Sequence, residues 1–315
     1  MDRARYKLKF EIVKHLAPLE SSHKSDAMIR KLLNSLKLIQ KELGLAVLSG
    51  VLYFVGFCGF GQFYLSWFCL VPVLWALNNT SLTSKQALII SWVFGFTTHL
   101  GGYTWINHLL ENFAYLPIFI AIPIYMLLCF AQGSLLAAWG WGIFHLQRRW
   151  KISFVLSAAP LMIVLEWCYP ALFPSYLANS QYLILPVIQS AELWGLLGIS
   201  GLMVFASNVI HQWVELFFRK SNPLNSKHAL KVTALFALLF GLNLAYGFGA
   251  IGSVNKQLGA TQERIKIGTV QIYLSGRISK AVHRTISGCY QKRGFHLRVI
   301  EINPINLGGI IKLFS

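Results

Sequence analysis

Charge is scarce in this sequence: Asp, Glu, Lys and Arg together make up 12% of its 315 residues, and only 11 residues are acidic. A soluble domain carries about twice that fraction of charge, so a water-soluble globular protein is excluded. Disorder is excluded by the converse argument. It needs low hydrophobicity, whereas 55% of this chain is hydrophobic and its mean hydropathy is +0.55. Cysteine is also rare. Of five, Cys58, Cys69 and Cys129 lie inside apolar runs, Cys168 sits near the end of another, and Cys289 is in the basic tail. No C-x-x-C pair or His/Cys spacing marks a metal site or a disulfide framework, and buried thiols acting as small hydrophobes are the default reading. The chain has no Gly-rich phosphate loop, no H-E-x-x-H and no G-x-S-x-G. It shows neither an internal repeat nor a low-complexity tract. What remains is a polytopic membrane protein.

The formal charge of +17 has the look of a nucleic-acid binder until it is mapped. Residues 1–43 hold 10 Lys/Arg against 5 acids, residues 44–262 hold 9 against 4, and residues 263–315 hold 9 against 2. The excess sits at the chain ends and between apolar runs, where anionic headgroups attract it. A membrane partner is therefore expected, and no nucleic acid. The first long apolar run starts only at Gly44, so no cleavable signal peptide is predicted. Before it, Met28, Leu32, Leu33, Leu36, Ile39 and Leu43 share one helical face while Arg30, Lys31, Lys37 and Lys41 point elsewhere. That pattern predicts an amphipathic cytoplasmic segment over 1–43, either interfacial or leading into the membrane.

Seven spans are predicted over 44–252, an all-α transmembrane bundle. Residues 44–77 are broken at Gly59-Phe60-Gly61 into two short spans, and the others cover 86–106, 116–146, 152–170, 195–214 and 232–252. Lys85, the cluster Arg148/Arg149/Lys151 and the cluster Arg219/Lys220/Lys227 fall in alternate loops. The opposite loops, at 59–61, 107–115 and 171–194, contain no Lys or Arg. The positive-inside rule then places the amino terminus in the cytoplasm and everything after residue 252 outside. Tyr103, Trp105, Tyr115 and Trp194 near outer ends and Trp150 near an inner end fit an aromatic belt. From residue 253 a polar linker leads to Ile265-Lys266-Ile267-Gly268-Thr269-Val270-Gln271, which alternates like a strand. It predicts the start of an α/β extramembrane domain over 253–315.

Ionisable groups inside apolar spans are candidates for chemistry. Here they are His99, His145, Glu166, His211 and Lys231. His145 and Lys231 lie near cytoplasmic ends, where snorkelling accounts for them. Glu166 heads Glu166-Trp167-Cys168-Tyr169-Pro170-Ala171-Leu172-Phe173-Pro174-Ser175-Tyr176. A carboxylate followed by two later prolines and several aromatics reads as a shaped re-entrant loop at the outer boundary. The alternative is a headgroup-level loop with one solvated acid.

The order of these features resembles the bacterial apolipoprotein N-acyltransferases. The carriers are Gly56-Phe57-Cys58-Gly59-Phe60-Gly61, then Gly101-Gly102-Tyr103-Thr104-Trp105-Ile106, then Glu166-Trp167, Phe173-Pro174 and Asn179-Ser180-Gln181. Gln189, Ala191-Glu192, Gly195 and Gly198-Ile199-Ser200 follow, and the strand-like segment 265–271 closes the series. The resemblance covers roughly 44–271. It implies transfer of a fatty acyl chain from a membrane phospholipid to the N-terminal diacylglyceryl-cysteine of an apolipoprotein, at the outer face of the bacterial inner membrane. A nitrilase-type (carbon-nitrogen hydrolase) domain supplies a Cys nucleophile, a Glu base and a Lys oxyanion partner, with no cofactor or metal. The lipid- and substrate-facing candidates are Trp105, Glu166, Phe173, Pro174, Tyr176 and Gln181.

After Gln271 the likeness fades. The remaining residues have no Pro-Glu pair, and neither Glu301 nor Cys289 matches the family's base or nucleophile. No catalytic residue is assigned, and the chain as written is expected to be a truncated, inactive member. The competing reading is a multipass transporter or a lipid-handling module without chemistry, for which intramembrane charged pairs or two matching broken helices would speak.

Overall fold

The computed structural model describes residues 37–57, 59–219 and 223–260. The amphipathic residues 28–36, Cys58, the strand-like segment 265–271, Cys289 and Glu301 lie outside them. The described residues are helical almost throughout and contain no strand.

Helix α1 (Gln40–Gly56) buries Ala46, Ser49, Gly50, Tyr53 and Gly56, a single face at helical spacing. It stops before the predicted turn, where Gly59 and Gly61 take positive φ. The second predicted span is not one helix. A 3-10 turn, Phe63–Trp67, is followed by α2 (Val71–Leu77), which Pro72 starts in its first turn. Ser49 joins the two stretches: its hydroxyl donates to the Cys69 carbonyl and accepts from the Val73 amide at 3.1 Å.

Helix α3 (Ser84–Gly102) opens with a capping box, Thr83 and Gln86 satisfying each other's backbone N–H. Its stripe Ala87, Ile90, Ser91, Phe94, Gly95 and Thr98 is buried against α5 (Ile118–Trp150). At their crossing a Cβ on Gly95 would lie 2.2 Å from the Gly133 carbonyl oxygen, and one on Gly133 would lie 2.8 Å from the Phe96 nitrogen. Backbone touches backbone there, as small residues allow between membrane helices. The third predicted span is shorter than expected, because the helix breaks at Tyr103 and α4 (Trp105–Asn112) turns away. Arg148 and Arg149 lie in the last turn of α5, and Lys151, in left-handed conformation, ends it.

Helix α6 (Phe154–Cys168) runs back along the bundle. A loop with a 3-10 turn, Leu177–Gln181, and the short α7 (Leu185–Ile188) connects it to α8 (Ala191–Arg219). α8 is kinked at Trp194 and Gly195. Last comes α9 (Pro223–Ala260), which passes the predicted end of span seven and carries residues 253–260, read from sequence as linker, as helix. Nothing in Ser253-Val254-Asn255-Lys256-Gln257 breaks a helix.

By length and composition, three described helices can cross a membrane: Ile118–Trp150, Ala191–Phe218 and Ser226–Gln257. The third of these has only 11% of its apolar window buried. Leu230, Leu235, Leu238, Leu242 and Phe248 on it face outward, an apolar surface of the kind that lipid covers. The core beneath is built from Leu74, Leu77, Phe94, Trp139, Ile143, Met162, Ile199 and Met203.

Hydrogen bonds fix which loops share an end. Asn78 Nδ2 donates to Glu215 Oε1 at 2.6 Å, Asn79 Nδ2 to Glu42 Oε1 at 2.7 Å, and Gln147 Nε2 to Asn78 Oδ1 at 3.0 Å. These gather the ends of α1, α2, α5 and α8 into one cluster, the Arg148 end. Residues 59–67, 103–117 and 169–190 lie at the other, the Glu166 end.

Candidate functional site

Glu166 sits in the last turn of α6 and is 6% exposed, so it is not the solvated acid of the alternative reading. The helix turns it inward because Ser157, Ala158, Met162 and Glu166 fall on one buried face. Its Oε1 accepts the Leu177 amide at 3.0 Å. Ser200, reaching from α8, accepts the Ala178 amide at 3.1 Å and is the other hydrogen-bonding group facing the carboxylate. The first amides of a helical turn have no partner within the turn. Here a carboxylate and a hydroxyl from two different helices serve that role.

The same loop is held at further points. Gln132 on α5 accepts the Leu172 amide at 3.3 Å, and its Nε2 donates to the Tyr103 hydroxyl at 3.4 Å. That hydroxyl donates to the Phe173 carbonyl at 3.1 Å and lies 2.8 Å from Ser175 Oγ. The Tyr169 hydroxyl donates to the Ala131 carbonyl at 2.9 Å. Gln181 accepts from Trp67 Nε1 and donates to the Phe63 carbonyl, both at 3.0 Å. Irregular backbone near a bundle end keeps its polar groups satisfied in this way, by side chains instead of water.

Between these anchors lies a cavity of about 40 Å³. Tyr53, Thr98, His99, Tyr103, Gln132, Glu166 and Ser175 bring polar atoms to it, and Phe54, Phe57 and Phe173 line it as well. His99 Nδ1 meets the Gly95 carbonyl at 2.8 Å. A carbonyl only accepts, so the neutral ring carries its proton on Nδ1 and a lone pair on Nε2. Glu166 Oε2 is buried without a hydrogen-bond partner.

The sequence-predicted residues separate here. Glu166 and Phe173 line the cavity. Trp105, 47% exposed, stacks edge-on against Phe173 at 5.2 Å. Tyr176 is half-buried and precedes the 3-10 turn, Pro174 is exposed, and Gln181 is fully buried but lies off the cavity, pinning the loop to residues 63–67. Tyr103, assigned by sequence to an aromatic belt, is buried instead, because the break after α3 swings it inward beneath Phe173. Sequence reasoning gave no role to Tyr53 or Gln132, polar residues within apolar runs whose spacing gave no signal, and took in Ser175 and Ser200 only as members of longer motifs. Among the described residues no group of three or more His, Cys, Asp or Glu side chains stands together.

Residues 49–209, just over half of the chain, match the family model of the apolipoprotein N-acyltransferase N-terminal domain. The chain belongs to the apolipoprotein N-acyltransferase family. Relatives carrying that name come from Geobacter metallireducens, 28% identical over 216 residues, and Rhizobium etli, 25% identical over 225 residues. Each match takes in 66% of this chain but only 40% and 39%, respectively, of the relative's own length. Every residue that lines the Glu166 cavity, and Ser200 beside it, falls inside the part that the family model covers.

Proposed function

We propose that this chain supplies the membrane half of an apolipoprotein N-acyltransferase. It binds a phospholipid acyl donor and an apolipoprotein acceptor at the Glu166 end of the bundle, with Trp105 and residues 166–181 around a lipid-accessible site. The observation that carries this reading is that the cavity, its unpaired carboxylate oxygen and the loop anchors all lie within the family's N-terminal domain. The bundle sits in the bacterial inner membrane as seven segments, with the amino terminus in the cytoplasm and the residues after 252 in the periplasm. Alternation of basic and Lys/Arg-free loops supports that orientation. The short α2 enters the count as one half of an incomplete span. A transporter reading has less support, because residues 49–209 match the N-acyltransferase N-terminal domain.

The covalent step needs a sulfur nucleophile, a base and an oxyanion donor within hydrogen-bond reach of one another. Residues 272–315 offer no match to that set. Residues 1–315 are therefore proposed to bind substrate without transferring the acyl chain by themselves. Expression in a strain lacking its N-acyltransferase tests this, with lipoprotein N-termini read by mass spectrometry. The chain alone is expected to leave them diacylated, and a fusion of residues 1–271 to a relative's following domain is expected to triacylate them. Triacylation by the chain alone would overturn the division of labour. An inactive fusion that is inserted and folded would overturn the assignment.

A further inference from the structure

Away from the Glu166 cavity, a groove of about 490 Å³ lies between α6, α8 and α9. Its walls are apolar: Leu156 and Ile163 come from α6, Leu202 and Phe205 from α8, and Leu235 and Leu239 from α9. Both α6 and α9 pack on α8. Two hydrogen bonds hold α9 to α8 beyond the ends of the groove. Trp213 Nε1 donates to Thr233 Oγ1 at 2.8 Å on the Arg148 side, and the Tyr246 hydroxyl donates to Glu192 Oε2 at 3.4 Å on the Glu166 side. A volume of this size falls in the range of roughly 300–1,000 Å³ that ligand sites occupy.

The groove is chemically polarised. Toward the Glu166 end its polar lining is already engaged. Asn243 donates to the Val187 carbonyl at 3.1 Å and accepts from the Ser190 hydroxyl. The Trp194 indole lies against Gly198, where a Cβ would stand 2.2 Å from the indole Cδ1. Beyond them is the Glu192 carboxylate, which repels an anion. Toward the Arg148 end the same stripe of α9 turns basic. Lys231 precedes Leu235 by four residues and Lys227 precedes Lys231 by four, so the three follow one another along the helix surface. Both lysines are exposed. Lys151, also exposed, stands at the turn into α6, whose first residues line the groove.

Size and surface decide the occupant. Leu235 to Asn243 spans roughly 12 Å of helix, and a partner helix about 10 Å across would take roughly 900 Å³ over that length. That is nearly twice the space present. Nor is a small-residue surface open for a close helix contact. Gly201 is already covered by Ile163, whose Cδ1 lies 2.6 Å from where a Cβ would be. A hydrocarbon chain is narrow enough and matches the walls.

We propose that this groove holds an acyl chain of an anionic phospholipid, with its phosphate at Lys227 and Lys231 and its chain end toward Trp194. In the orientation proposed above, the lipid belongs to the cytoplasmic leaflet. It is thus a resident lipid, on the side away from the Glu166 end, and not an acyl donor. It fills the space between α6 and α9, the helix with the least buried apolar window among the three that can cross a membrane.

The test reads binding and position, independently of acyl transfer. The full chain, purified in detergent, is titrated by native mass spectrometry with phospholipids of identical chains bearing glycerol or choline heads. A retained lipid is expected, with a preference for the anionic glycerol head of about five-fold or more, the attraction of roughly one lysine to an anionic surface. Lys227→Gln combined with Lys231→Gln, at two exposed positions, is expected to bring that preference to about unity. Leu239→Trp, which fills the groove, is expected to abolish retention of both lipids. Position is read with glycerol lipids carrying a photoreactive diazirine at the chain end or beside the head. The first is expected to mark peptides around Trp194 and Asn243, and the second peptides around Leu235. Absence of retained lipid or of head preference in the unaltered chain would overturn the proposal. So would an undiminished preference in the double lysine variant, or the reverse order of marks. Dimers of the unaltered chain that Leu239→Trp disperses would give the groove to a second copy instead. Should Leu239→Trp fail to fold, the lysine variant and the map of marks decide.

Discussion

The two ends of the bundle use polar side chains for different ends. At the Arg148 end, Asn78, Asn79, Glu42, Gln147 and Glu215 bond mainly to one another and so tie helix to helix. The connections there are short, 78–83 and 151–153. At the Glu166 end, Tyr103, Gln132, Glu166, Tyr169, Gln181 and Ser200 bond mainly to the backbone of the long connection after α6 and of residues near it. A short loop closes on its own hydrogen bonds, whereas a long one at membrane depth must borrow them. Borrowing from helices that are packed apart leaves room between the lenders. The cavity lies in that room.

The largest effect is expected where both ends depend on the same contact. At the α3–α5 crossing, Gly133→Leu would drive a side chain into the backbone at Gly95 and Phe96. Overpacking a core costs about 1–3 kcal/mol and occasionally more, and backbone has less freedom to yield than a side chain. We expect loss of most folded protein, read by fluorescence-detected size exclusion, with both ends disturbed alike. A variant that stays monodisperse with an unchanged melting temperature would show that the helices separate freely.

Glu166→Ala should divide the ends. It removes the acceptor of a buried amide, a loss of about 1–3 kcal/mol, and releases only the loop that starts at Leu177. Maleimide labelling of a Ser175→Cys reporter should accelerate, while labelling of a reporter at Ser81 should not. In a relative that carries the complete enzyme, the equivalent change is expected to lower acyl transfer about ten-fold or more with membrane insertion intact. Equal acceleration at both reporters would mean that the carboxylate supports the whole bundle and not one end.

Gln181→Leu comes next in size. It leaves Trp67 Nε1 and the Phe63 carbonyl without the partner they have now, about 1–3 kcal/mol if both stay dry. Because Gln181 lies off the cavity, stability should fall while maleimide labelling of the Ser175→Cys reporter stays unchanged. A melting temperature that falls together with faster labelling at that reporter would join the first hairpin to the site.

Much of the fold was legible in the sequence because hydrophobic runs and their breaks set helix positions directly. The turn at Gly59 and Gly61 and the basic end of α5 fell where local chemistry placed them. The second span was not legible, since apolar composition alone does not separate a continuous helix from a 3-10 turn followed by a short helix. The site was legible by half. Glu166 and Phe173 stood out as a rare charge and an aromatic beside prolines. Gln132 and Ser200 did not, because each acts on a backbone group far along the chain, and a polar residue inside an apolar run looks the same whether it reaches such a group or only its own helix. Ser91 and Thr98 do the latter, each donating to the carbonyl four residues before it.

The smallest expected effect tests where the site ends. Trp105 leads α4, lies half in the open, and touches the cavity only through the edge of Phe173. An edge-to-face pair contributes about 0.5–1.5 kcal/mol, so Trp105→Ala should shift the melting temperature little. What it removes is the support that holds Phe173 over Tyr103, whose rings stand 6.0 Å apart at 85°. If Trp105 belongs to the rim, labelling of the Ser175→Cys reporter accelerates slightly and a spin label at Asn112, at the end of the same helix, becomes more mobile. Trp105→Phe should restore both, since a ring edge is all that the contact uses. A change in the spin label's mobility with no change in the reporter's labelling would place the boundary of the site at Phe173, with Trp105 and α4 as an interfacial anchor outside it.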